Sequence, residues 1–105
     1  MSLQEEFAQL LRERKQRIED LLRTVGEPDD GDEIFQELTT LVHKLAGSCA
    51  MYGYAALGKI ARECQQRFLQ EGSRLTSDHE ALNRMMGGLL GAMGKSIETG
   101  PDATL

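Results

Sequence analysis

One of the two histidines of the chain, His43, lies in the middle of a stretch that the sequence predicts to be helical. The stretch reads HKLAGSCAMYG from His43 to Gly53, and small residues dominate it. A neutral imidazole nitrogen is a nucleophile near pH 7, so an accessible histidine can accept a chemical group and pass it on. Whether His43 is accessible therefore decides what the chain can do.

A helical wheel at about 100° per residue separates His43 from the predicted core of its helix. The apolar residues within about 40° of the opposite pole are Ile34, Leu38, Leu41, Leu45 and Tyr52. The residues on the histidine's own face are nearly all small: Gln36, Thr39, Thr40, Ala46, Gly47 and Ala50. We predict that this face lets a partner macromolecule approach His43. An ordinary surface histidine among small residues is the alternative that the wheel leaves open.

Gly53 predicts a turn that folds the next helix back against this one. Residues at equal distances from the turn then become neighbours, which places residues 63–66 near His43. We expect Gln65 to bond one ring nitrogen, fix the tautomer and leave the other nitrogen free to attack. A solvated Gln65 without a role is the alternative. Lys44 is a candidate for balancing the negative charge of a transferred phosphoryl group.

Other catalytic arrangements have little support in the sequence. Ser48 lies toward the core side of its helix, no pair of carboxylates stands near His43, and His79 is predicted to be a surface residue. Cys49 and Cys64 fit reduced core thiols, without a CxxC motif or a Cys/His cluster. There is no glycine-rich phosphate loop. We therefore predict a phosphoryl carrier with no bound cofactor or metal.

The elements that position these residues are predicted to be α-helices. Apolar residues recur at spacings of three, four and seven, and no strand pattern occurs. The predicted helices cover about 3–25, 33–52, 54–70 and 77–98. Ser77 to Glu80 has the pattern of a capping box for the fourth helix. Short loops between four amphipathic helices predict an all-α, antiparallel four-helix bundle with up-down-up-down topology, followed by a disordered tail over 99–105.

Three glycines of the fourth helix, Gly87, Gly91 and Gly94, lie roughly opposite its Leu and Met stripe. Each costs about 1 kcal/mol relative to alanine inside a helix. A close contact with another element and a softened helix are both compatible with them.

Composition limits the remaining classes of function. With 105 residues the chain is predicted to be a single domain over 1–105. A formal net charge of −5 argues against a nucleic-acid binder. No apolar run approaches the roughly 20 residues of a membrane span, and the start lacks the pattern of a signal peptide. We expect a cytoplasmic protein, and a monomer.

The stretch HKLAGSCAMYGYAAL resembles the active-site segment of histidine-containing phosphotransfer (HPt) domains. The positions that carry the resemblance are His43, Leu45, Ala46, Gly47, Ser48, Gly53 and Leu57. The resemblance implies a four-helix bundle in which His43 is phosphorylated, Gly47 lets a receiver domain dock, and Gln65 bonds the imidazole.

The sequence departs from this family at one position. Many HPt domains carry a lysine three residues after the histidine, where this chain has Ala46. Lys44 is the candidate replacement, although it lies about 100° from His43 on the wheel. The dimerising domain of sensor histidine kinases is a poorer match, since its histidine is usually followed by an acidic residue.

The resemblance predicts a phosphorelay intermediate that exchanges a phosphoryl group with aspartates of receiver domains, magnesium being brought by the partner. Two alternatives stay open. One is a helical adaptor that binds receiver domains without carrying phosphate, and the other is the phosphorylated domain of a chemotaxis-type kinase.

Overall fold

A computed structural model describes residues 2–24 and 31–101 of the protein. Its α-helices are α1 (Leu3–Thr24), α2 (Gly31–Tyr52), α3 (Ala55–Ser77) and α4 (His79–Thr99). The φ and ψ of Glu71, −124° and 22°, are not helical, so α3 is kinked there and the described residues form five helical segments. No β-strand occurs in this part of the chain. The fold is all-α, as the sequence predicts.

The helices enclose an apolar core. α1 and α3 each pack against both α2 and α4. The large side chains buried most completely are Phe7, Leu11, Ile18, Leu38, Leu45, Tyr54, Leu57, Leu75, Leu82, Met86, Leu89 and Met93. Together with the other buried apolar residues they recur at spacings of three, four and seven within the helices, which gives each helix one apolar face to bury.

α1 contacts α2 at two positions along its length, Phe7 and Arg17. The Phe7 ring stacks on Tyr52 with 4.5 Å between centroids, and it lies 4.9 Å from the ring of Tyr54. Farther along α1, Arg17 donates hydrogen bonds to the carboxylate of Glu37, the shorter one 2.5 Å long. This hydrogen bond lowers the pKa of the Glu37 carboxyl. α1 is thus attached to α2 near both of its ends.

Gly53 joins α2 to α3 in a tight turn. Its φ of 83° lies in the left-handed region, which glycine adopts without steric cost. The N–H of Tyr54 donates to the carbonyl of Cys49 at 3.0 Å. A Cβ on Gly58 would lie only 3.1 Å from the Cβ of Cys49. The absence of a side chain at Gly58 therefore allows α2 and α3 to approach closely as an antiparallel hairpin.

The end of the third helix predicted at Gln70 coincides with the kink at Glu71, but the helical segment that follows the kink was not predicted. The sequence EGS over 71–73 suggested a break, yet the helix resumes after the kink and continues to Ser77. Its last turns bury Leu75 completely, and the hydroxyl of Thr76 donates to the carbonyl of Gly72. The burial of Leu75 thus stabilises a further helical segment after the break at Glu71.

The start of α4 also differs from the prediction. Ser77 still belongs to α3, so the capping box over Ser77 to Glu80 does not form. Asp78 is the N-cap instead, and its carboxylate accepts the N–H of Ala81 at 3.1 Å. An aspartate satisfies a free helical N–H as a serine would, which is why the cap shifts by one residue at little cost.

The remaining helix boundaries lie close to the predicted ones. α2 begins at Gly31 rather than at 33. Thr99, assigned by the prediction to the tail, ends α4, and Gly100 follows it with a φ of 78°. Residue 25, the predicted end of α1, and residues 102–105 lie outside the described residues.

Three of the four glycines of α4 face open space instead of a neighbouring helix. A Cβ on Gly87, Gly88 or Gly91 would meet no atom within 4 Å. A Cβ on Gly94 would touch the side chain of Lys15 at 3.5 Å, an ordinary contact. Close packing within the described part of the chain therefore does not explain these glycines.

We predict that Gly91→Ala raises the free energy of unfolding by about 0.5–1 kcal/mol, because the added methyl group meets nothing and favours the helix. Urea denaturation measures the change. Gly58→Ala is the contrasting variant, since its methyl group would press on Cys49, so its gain should be smaller or reversed. A less stable Gly91→Ala would show that the position is not open.

Candidate functional site

His43 is exposed and lies on α2 at the border with α3. The buried residues of α2 form the stripe Ile34, Leu38, Val42, Leu45, Ala46 and Cys49. Leu41 and Tyr52, both in the predicted stripe, are only partly buried. The observed stripe is therefore rotated by about 45° toward α3. His43 does not face directly away from the core, as the wheel predicted, but stands beside the neighbouring helix.

The side-chain amide of Gln65, on α3, contacts the imidazole. Its Nε2 lies 2.5 Å from Nδ1 of His43. Rotation of the amide exchanges its oxygen and nitrogen, and the two orientations select opposite tautomers. When the amide N–H donates, the ring proton is on Nε2; when the amide oxygen accepts, the proton is on Nδ1 and Nε2 has a free lone pair. In both cases Nε2 is the ring nitrogen without a partner among the described residues.

The packing of α2 against α3 in the hairpin determines where Gln65 and His43 lie relative to each other. Gly58 lies two turns before Gln65 on α3, and its close approach to Cys49 holds the two helices together. Phe35 and Phe68 pack edge to face on the other side of the pair, with 5.1 Å between their ring centroids. Gln65 is therefore held between two tight interhelical contacts, and its half-buried side chain reaches the imidazole from a fixed position.

The surface next to His43 on α2 carries little bulk. Gly47 and Ala50 are exposed, and a Cβ on Gly47 would meet no atom within 4 Å. Gln36, one of the predicted docking residues, is exposed as well. A macromolecule can therefore reach His43 without meeting long side chains from the turn that follows it.

Thr40 is exposed and Thr39 is half-buried. The Thr39 hydroxyl donates to the carbonyl of residue 35 at 2.9 Å, and the Thr40 hydroxyl donates to that of residue 36 at 3.0 Å. Both hydroxyls are thus used within α2. This part of the surface is less polar than its sequence suggests.

Ala46 does not belong to the exposed face, and its prediction as a docking residue was wrong. It is only 6% exposed, because the rotated stripe carries it into the α2–α3 interface. Lys44 is exposed and forms no ion pair within the described residues. It lies about 100° around the helix from His43, on the side away from α3.

The other reactive side chains lie away from this surface. Cys49 and Cys64 are buried, and burial raises the pKa of the Cys64 thiol, which disfavours the thiolate. Ser48 is half-buried. His79 is exposed at the first position of α4.

Three exposed side chains on the α2–α3 hairpin were not singled out from the sequence. Met51 and Leu69 are large apolar side chains that are 80% and 77% exposed. Arg62 is exposed on α3, one turn before Gln65. Helical spacing in the sequence could have identified Leu69, since it follows Gln65 by four residues and therefore shares its side of α3.

The family model of the Hpt domain matches residues 2–96 of the chain. The match covers most of the 105 residues, so the protein belongs to the Hpt domain family. Its general role is histidine phosphotransfer in a phosphorelay. No curated protein and no solved structure gives a significant match. No helix within the described residues is long and apolar enough to span a membrane.

We predict that in Gln65→Ala the imidazole of His43 is no longer held in one tautomer. Without the amide, both neutral tautomers of the ring become populated, whereas the wild type holds one. Nitrogen NMR of the imidazole, recorded where the ring is neutral, distinguishes them. Gln66→Ala is the matched control, because Gln66 is an exposed neighbour about 100° farther around α3. Identical spectra for wild type and Gln65→Ala would contradict a role in orienting the ring.

Proposed function

We propose that His43 is the phosphorylated residue and that Nε2 is its nucleophilic atom. The observation that carries this proposal is the contact between Gln65 and Nδ1, which engages one ring nitrogen and leaves the other toward solvent. With the amide oxygen of Gln65 accepting from Nδ1–H, the lone pair of Nε2 is available for attack.

The chemical step exchanges one bond for another. The lone pair of Nε2 forms a bond to phosphorus while the bond from phosphorus to the aspartyl oxygen of a phosphorylated receiver domain breaks. The electron pair of that bond leaves with the carboxylate. The proton on Nδ1 stays on the ring, hydrogen-bonded to Gln65. Onward delivery to a second receiver aspartate is the same step in reverse.

We assign the divalent metal of this reaction to the partner. Magnesium takes carboxylate and carbonyl oxygens, whereas the groups around His43 are an imidazole, an amide and small side chains. When bound to the receiver, the ion neutralises charge on the phosphoryl oxygens. This chain contributes the oriented nucleophile and a surface that admits the partner.

The docking surface that we propose consists of Gln36, Thr39, Thr40, Gly47 and Ala50. Gly47 is its most open position. Hpt domains generally interact with receiver domains and kinases, and an exposed face of mostly small residues beside the imidazole suits the approach of a receiver domain.

We also infer that the helices form an antiparallel four-helix bundle with up-down-up-down topology. Phe7 meets Tyr52 while Arg17 meets Glu37, which sets α1 against α2 in opposite directions. A Cβ on Gly53 would lie 3.7 Å from the Cβ of Pro101, so the end of α4 lies beside the α2–α3 turn. This arrangement supports a rigid platform for His43.

We predict that phosphoryl transfer from a phosphorylated receiver domain with magnesium labels the wild type and does not label His43→Gln. The label should be acid-labile and alkali-stable. Because His43 is exposed, the substitution should change the free energy of unfolding by no more than about 0.5 kcal/mol. His79→Gln, the other histidine, is the matched control and should be labelled normally. A wild type that binds receivers and takes no label would instead be an adaptor.

We predict that Gly47→Leu separates docking from chemistry. A leucine there projects into open space, so the fold is kept and the helix gains stability. Transfer from a receiver domain should fall by about tenfold or more, because the side chain obstructs the partner.

A small phosphoryl donor, which does not need to dock on the protein surface, provides the control reaction for Gly47→Leu. Phosphoramidate transfers its phosphoryl group to Nε2 with loss of ammonia, and it should label Gly47→Leu as fast as the wild type. Gly91→Leu, another substitution at an open helical glycine, should leave both reactions unchanged. If receiver-dependent transfer by Gly47→Leu matches the wild type, Gly47 does not face the partner.

A further inference from the structure

Some of the lysine and arginine side chains that the structure describes form ion pairs with carboxylates, and others do not. Those with a carboxylate oxygen within 4 Å are Lys15, Arg17, Arg23, Arg67, Arg74 and Arg84. Among the side chains that the structure describes, the other cations form no such pair. Three of these, Lys44, Lys59 and Arg62, are exposed on the α2–α3 hairpin that carries His43, and the rest lie on α1 and α4. The hairpin that carries His43 thus exposes three cations without an ion pair, and the exposed carboxylate of Glu63 follows Arg62 directly in the chain.

Arg62 is the cation that lies over the boundary between α2 and α3. Its Nη1 is 3.6 Å from the point where a Cβ on Gly58 would stand. The carbonyl oxygen of Ala46 lies 3.9 Å from the same point. The guanidinium therefore lies beside the turn of α2 that directly follows His43.

Arg62 also shares its side of α3 with the residue that contacts the imidazole. It precedes Gln65 by three residues, so the two side chains are neighbours on the helix surface. Both line one shallow groove along α3, which is also lined by Lys59, Glu63, Gln66 and Leu69. Lys59 lies about 120° around α3 from Gln65, and Lys44 lies about 100° around α2 from His43. Neither lysine therefore faces the boundary where the imidazole stands.

We propose that Arg62 binds the phosphoryl group while it is attached to Nε2 of His43. This inference rests on the proposed function of His43. A guanidinium presents two parallel N–H donors that match two phosphoryl oxygens. Since no ion pair within the described residues holds the Arg62 side chain, it can turn from Gly58 toward His43.

Arg62 forms and breaks no covalent bond in this step. The nitrogen–phosphorus bond forms and the phosphorus–oxygen bond breaks as given above, and the guanidinium keeps all its protons. Its effect is electrostatic, because it neutralises charge on the phosphoryl oxygens in the transition state and in phosphohistidine. A positive charge supplied from α3 would take the place of one that Ala46 cannot provide on α2.

The test compares Arg62→Gln, Arg62→Lys and Lys59→Gln in single-turnover transfer from a phosphorylated receiver domain at saturating concentration. We expect Arg62→Gln to slow transfer on the order of three- to tenfold, since an exposed charge-assisted contact is lost. Arg62→Lys should recover part of the rate, because it keeps the charge without the planar geometry. Lys59→Gln, which removes an exposed cation from the same helix, should match the wild type.

A second readout concerns phosphohistidine itself. Each variant is phosphorylated with phosphoramidate, and the phosphoryl group is titrated by phosphorus NMR. Removing a cation that contacts the phosphoryl oxygens should raise their apparent pKa in Arg62→Gln and leave it unchanged in Lys59→Gln. A purely structural role of Arg62 would not move this titration.

The outcomes separate this inference from the proposed function. If wild type and Arg62→Gln have equal saturating rates and coincident titrations, the inference is wrong and the role of His43 stands. If only the receiver concentration needed for half-maximal rate increases, Arg62 is a docking contact and the inference is also overturned. If the wild type takes no label from either donor, the proposed function itself fails, and the inference fails with it.

Discussion

The close approach of α2 and α3 at Gly58 is the constraint on which the site depends. A Cβ there would press against Cys49 at 3.1 Å, and the same helical hairpin brings Gln65 to 2.5 Å from the imidazole of His43. Wider spacing would leave the ring free to rotate and the amide without a partner. Because the spacing is set by packing within the protein, the imidazole of His43 is oriented before any partner arrives.

The chemistry and the stability of the protein occupy different parts of the molecule. Within the described residues the core consists of hydrophobic side chains, among them the thiols of Cys49 and Cys64 and the phenol ring of Tyr54. His43, Gly47 and Arg62 are all exposed and contribute little to that core. Substitutions at the site can therefore be interpreted as changes in chemistry or docking, with little interference from unfolding.

The local features of the fold could be predicted from the sequence, and the features that depend on neighbouring helices could not. Apolar periodicity identifies the helices, and Gly53 identifies the turn of the hairpin, because both signals lie within a few residues. The burial of Ala46 depends on how α2 rotates against α3, and the extension of α3 depends on the burial of Leu75. The direction of the Arg62 guanidinium depends on an empty position at Gly58, four residues away.

The hydroxyls of Thr39 and Thr40 are engaged by carbonyls of their own helix, one turn back. A protein that covers this face displaces water from methyl groups and from the backbone at Gly47, and it need not satisfy free hydroxyl donors. Association there carries the signature of apolar desolvation, a negative heat-capacity change, instead of a demand for matched hydrogen bonds. Such a surface discriminates by shape more than by polar complementarity, so partners with different sequences and similar contours can use it in turn.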